Sequence, residues 1–138
     1  MTQMPATLQW NAAKAPEAVA SRADLENALS RVSRENAGLP PLAFLTFADG
    51  AIAMIGLGRD ESILILHEPR GADGLTREWI SVGDAARKGH TDFYLLGEDH
   101  SAFEDRSLLS LEDAIRGIGE LFETRQRPDW IRWEENDF

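Results

Sequence analysis

From Ser21 onward, Leu25, Ala28, Leu29 and Val32 recur at the three- and four-residue spacing of one helical face, with Asp24 and Glu26 placed early. The pattern predicts a helix over residues 21–35, which Gly38 and the Pro40-Pro41 pair bring to an end. LAFLTF then reads as a strand and AIAMIGL as its partner, because the Asp49-Gly50 dipeptide between them favours the left-handed dihedrals of a tight hairpin turn. Beyond a turn at residues 58–61, SILILH is a short isoleucine-rich run. LTREWISV alternates as a further strand after the glycine-rich loop EPRGADG. GDAARKG makes another turn before HTDFYLL, where Phe93 and Leu95 fall on one face and Tyr94 and Leu96 on the other.

The two ends of the chain differ in how strongly they are patterned. Residues 1–20 hold a short strand at Leu8-Gln9-Trp10 and an alanine-rich stretch broken by Pro16, an irregular lead-in without strong periodicity. The other end is ordered. Ser110 can cap a helix, Glu112 and Asp113 suit its positive end, and Leu111, Ala114, Ile115, Ile118, Leu121 and Phe122 share one face. Arg125 and Arg127 suit the negative end, and Pro128 cannot continue the helix, so the chain passes into Trp130-Ile131-Arg132-Trp133, which alternates as a short strand. The predicted class is α+β: one domain over residues 1–138, with a mainly antiparallel sheet of about five or six strands and the N-terminal and C-terminal helices packed on one face. The longest connection in this scheme is GEDHSAFEDRSLLS, read as a loop.

The closing segment LFETRQRPDWIRWEE, with its helix, basic-proline step and tryptophan-bearing strand, resembles the bacterial polymorphic-toxin immunity proteins of immunity protein family 1, which are associated with deaminase toxins. GLGRDESILIL and the two strands after it add weaker support, so the resemblance extends over the last hundred residues or so. It rests on a helix exit and a strand, which identify a family better than an active site. It implies an antitoxin whose partner is the catalytic domain of a cognate toxin, a protein with a basic, phosphate-compatible groove.

Charge fits that implication. With 24 acidic and 14 basic residues the net charge is -10, which opposes direct binding to nucleic acid. Through Pro69 there are 8 acidic and 5 basic residues, and after it 16 and 9, so the second half carries most of the excess. An acidic surface is commonly just a solvated one. The sharper reading places toxin-binding residues where carboxylates flank an aromatic anchor, at Glu98, Asp99, Phe103, Glu104 and Asp105. Asp73 in the EPRGADG loop and Trp133 complete the candidate set, since on a regular strand Trp130 and Trp133 face opposite ways and the exposed one could make contact.

Other chemistry finds little footing. Asp99-His100-Ser101 contains triad residue types, but neighbours in sequence seldom meet as a triad must. His67, His90 and His100 lack zinc-ligand spacing, and Gly56-Leu57-Gly58 lacks the third glycine and the helix of a dinucleotide fingerprint. No catalytic, cofactor or metal site is therefore expected. With no cysteine, no apolar run long enough for a membrane span and no signal-peptide pattern at the N-terminus, a cytoplasmic protein is expected. Two other classes stay open: an adaptor or chaperone for a secreted effector, and a small hydrolase using Glu98 with Glu104 or Asp129 with Glu134. The toxin's identity and the oligomeric state are not encoded in any visible motif.

Overall fold

A computed structural model describes residues 6–69 and 76–136. Along the chain run β1 (Ala6–Gln9), β2 (Glu17–Val19), α1 (Arg22–Glu35), β3 (Pro41–Thr46), β4 (Ile52–Gly56), β5 (Glu61–Ser62), β6 (Leu64–Pro69) and β7 (Thr76–Val82). There follow β8 (His90–Leu95), β9 (Asp99–Glu104), a 3-10 turn at Asp105–Ser107, β10 (Leu109–Ser110), α2 (Leu111–Thr124) and β11 (Arg132–Asn136). The main sheet has the order β11-β7-β6-β4-β3-β1-β2 and is antiparallel throughout that path. β8 joins the first residues of β3 in parallel, β9 pairs antiparallel with β8, and β5 and β10 form a separate two-stranded pair.

The helices form for the local reasons the sequence offers. Ser21 accepts the Asp24 amide at 3.1 Å, and Ser110 accepts the Asp113 amide at the same distance, so each helix begins on a satisfied cap. α2 ends at Arg125, held in the left-handed region at φ 61° with its amide bonded to the Leu121 carbonyl. Leu25, Leu29 and Val32 of α1 and Ala114, Ile118, Leu121 and Phe122 of α2 sink into one core with Leu8, Ala43, Leu45, Ala53, Ile55, Leu64 and Leu66 of the sheet.

Strand alternation then sorts the remaining apolar residues. Ala43, Leu45, Ala53, Ile55, Leu64 and Leu66 face the helices, while Leu42, Met54 and Ile65 point the other way into a second cluster with Ile63, Phe93 and Leu108. The β8–β9 hairpin supplies Phe93, whose ring lies directly on Gly56. A Cβ at that position would meet ring carbons at 2.6–2.9 Å, so only glycine permits the approach. Two buried serines fix the crossing beyond β9: Ser81 Oγ accepts the Leu64 amide at 3.1 Å and donates to the Ser107 carbonyl at 2.8 Å, and Ser62 Oγ donates to the Gly56 carbonyl at 2.6 Å.

Several sequence expectations change. The described residues hold eleven strands rather than five or six, and the helices are not the chain's end elements, since α1 follows two strands and α2 precedes one. Part of the lead-in is a hairpin, because Ala6, Leu8 and Val19 all find burial beneath the helices. The presumed long loop instead holds β9, the 3-10 turn and β10. The closing strand starts at Arg132, which leaves Trp130 in the turn before it.

Candidate functional site

β8 and β9 are joined through Leu96 and Gly97, both left-handed at φ 50° and 76°, with the Gly97 and Glu98 amides bonded back to the Tyr94 and Leu95 carbonyls at 2.9 Å. The tip is tied down on both sides: the Leu96 amide donates to the Leu42 carbonyl at 3.1 Å, and the Leu96 carbonyl accepts the Ala12 amide at 3.0 Å. The register, Thr91 opposite Phe103 and Phe93 opposite Ser101, turns those residues toward the second core, where the Phe93 and Phe103 rings lie 6.3 Å apart. The alternate residues His90, Asp92, Tyr94, His100, Ala102 and Glu104 form the outer face, on which His100 Nε2 lies 2.8 Å from Asp92 Oδ1.

Five of the candidate contact residues thus come together on one hairpin, in unequal roles. Glu98, Asp99 and Glu104 are exposed and make no ion pair with any described residue. Phe103 is half-buried as a wall of the second core. Asp105 is engaged within the fold: its carboxylate accepts the Thr91 hydroxyl at 2.6 Å and lies 3.9 Å from Arg87, while its amide bonds to the Gly89 carbonyl. Arg87 in turn grips Glu61 at 2.6 Å, which raises the guanidinium pKa.

Trp133 does not join this group. It packs against the helix-side core with its Nε1 donating to the Pro128 carbonyl at 3.1 Å, on the sheet face opposite Phe103. The more exposed of the two closing tryptophans is Trp130, 37% accessible, whose Nε1 donates to Glu120 at 2.6 Å beneath the Arg116 guanidinium. Asp73 lies outside the described residues. Asp99, His100 and Ser101 are consecutive on β9, so Asp99 and Ser101 face away from His100.

Exposed carboxylates outside ion pairs also occur elsewhere among the described residues, at Asp24, Asp60, Asp84, Glu112, Asp113 and Asp129, whereas many arginines are engaged. Arg22, Arg31, Arg77, Arg87, Arg106, Arg125 and Arg127 are each committed to a carboxylate partner. The open cleft where the chain leaves α2, about 530 Å³ and lined by Glu68, the 125–129 segment, Ile131 and Trp133, is one such tied corner. There Arg125 pairs with Asp49 at 2.6 Å across the Phe47 ring, and Arg127 reaches Glu68 while stacking 3.7 Å over Trp79.

Sequence reasoning passed over one feature, the partly buried apolar residues Phe44, Ile52 and Ile80 on the sheet face away from the helices. Their signal was present in LAFLTF and AIAMIGL, which are apolar at both parities, as strands with apolar cover on both faces are. No helix among the described residues is long and apolar enough to cross a membrane. A family model described as Immunity protein Imm1 matches residues 13–135. No curated protein matches the chain.

Proposed function

Since the chain belongs to the Imm1 family of immunity proteins, we propose that it is an antitoxin which binds the catalytic domain of a cognate bacterial toxin and blocks access of its substrate. Family membership over residues 13–135 is the observation that carries this reading. The toxin is a deaminase-type domain, as the resemblance of LFETRQRPDWIRWEE suggests, and such a domain acting on nucleic acid needs a groove compatible with phosphate. A surface that carries Glu98, Asp99 and Glu104 exposed and outside any ion pair with a described residue can steer to such a groove and fill it. The protein works by binding in the cytoplasm of the producing cell and needs no chemistry of its own.

Steering is an on-rate effect that salt screens, whereas a desolvated anchor such as Phe103 governs how slowly the complex comes apart. The interface is of ordinary size, about 1,600 Å² in total. A pull-down from the native cell with the tagged chain as bait tests the reading. Recovery in moderate salt of a toxin domain bearing the His/Glu and Cys-x-x-Cys pattern of a zinc deaminase is the expected result. Recovery of only secretion components would move the protein to an effector-chaperone role.

A further inference from the structure

The sheet face away from the helices is covered at one end by the β8–β9 hairpin, and among the described residues Phe44, Ile52 and Ile80 beyond it are only partly buried. One rung across it runs Phe44, Met54, Ile65, Ile80 and Glu134, and the next runs Thr46, Ile52, His67 and Glu78. On the far side, Leu42 and Gly56 lie beneath Phe93 of the β8–β9 hairpin. Phe44, Ile52 and Ile80 pack against this second cluster yet stay only partly buried, and Phe103 from β9 borders the same cluster.

The strip has an apolar floor, and the hairpin that covers its end carries exposed acidic side chains. β9 is an edge strand that pairs only with β8 among the described residues, and it carries Asp99 and Glu104 at its two ends with Glu98 just before it. At the end of the Phe44 rung, Glu134 is already held by Arg106 in a two-pronged pair at 2.9 and 3.1 Å. Arg59, whose Nε donates to the Asp92 carbonyl, and exposed Arg132, on the Glu134 face of β11, are nearby cations outside any ion pair with a described residue, so the three carboxylates of the hairpin outnumber them and a net charge of -10 keeps the balance negative. A half-buried aromatic and aliphatic patch beside exposed carboxylates has the anatomy of an interface core with its polar rim.

Resting on the antitoxin reading above, we infer that the toxin docks on this open half-face. Phe44, Ile52, Ile80 and Phe103 seat an apolar segment of the toxin, and Glu98, Asp99 and Glu104 pair with basic residues flanking that segment. The occupant is thus a projecting element with an apolar tip between lysines or arginines, and the outer surface of the helical layer stays free in the complex.

The absence of cysteine makes the test direct. Full-length chains carrying Ile52→Cys, Ile80→Cys or, on the exposed side of α1, Asn27→Cys are labelled with a maleimide, alone and with the deaminase-type toxin domain recovered in the pull-down. The docking predicts at least about tenfold slower labelling at positions 52 and 80 in the complex and an unchanged rate at 27, the contrast between an interface core and a surface left in water. Equal rates with and without toxin at 52 and 80, in variants that still bind, would overturn the docking and leave the antitoxin reading standing. Failure of the unmodified chain to bind that toxin would overturn both. Should a cysteine variant fold poorly, unmodified chain answers the question through oxidative footprinting of Phe44 and Phe103, with protection expected only in the complex.

Discussion

Gly56 shows how a single residue determines where the acidic hairpin lies. Its missing side chain lets Phe93 seat at the sheet, and Phe93 in turn positions β9. Gly56→Ala should cost about 1–3 kcal/mol, the usual penalty of overpacking, and urea midpoints will show it, whereas a neutral result would mean the ring has room to move. Asp49 and Glu134 bear on acidity. The Ala51 amide and then Arg125 hold the Asp49 carboxyl below its ordinary value, and Arg106 does the same for Glu134. A carboxyl depressed by folding stabilises the protein above its unfolded value, and that contribution fades as pH falls through the folded value. Urea midpoints should therefore drop between pH 7 and pH 3, modestly because both side chains are about half exposed, and drop less in the Asp49→Asn/Glu134→Gln double variant. An equal drop in the two proteins would contradict the assignment.

At the level of elements, α2 was legible in full: cap, face and exit all follow from residues 110–128, and α1 nearly as well. Ser110→Ala should remove about 1 kcal/mol of stability, and its thermal midpoint tests this, with no change meaning that the neighbouring β5–β10 pair holds the helix start instead. The β3–β4 hairpin was equally plain in Asp49-Gly50, where Gly50 takes φ 92°. β9 was not, because DHSAFE is polar enough to read as a loop. Its strand character depends on Phe103 and Ser101 lining a core that β8 creates from a distance. The same holds for β1 and β2, whose burial needs both helices in place. Charge counting singled out residues 98–105 but could not separate Asp105, engaged by Thr91 and Arg87, from Glu98, Asp99 and Glu104, which make no ion pair with a described residue.

For the molecule as a whole, seven of the described arginines are held in ion pairs, and Glu98, Asp99 and Glu104 of the hairpin and Glu112 and Asp113 at the start of α2 are among the exposed carboxylates outside one, so these are sides from which a basic partner can approach. Reversing Glu98, Asp99 and Glu104 together to lysine should lower the association rate for the toxin at low salt by at least about tenfold and flatten its salt dependence, while leaving the unfolding midpoint nearly unchanged. Stopped-flow rates at two ionic strengths decide it, and an unaltered rate would place the toxin elsewhere. Inhibition by binding is tested most directly by titrating the cognate toxin domain's activity with this chain: a linear fall to no activity at one equivalent is expected, and full activity in the presence of excess chain would contradict it.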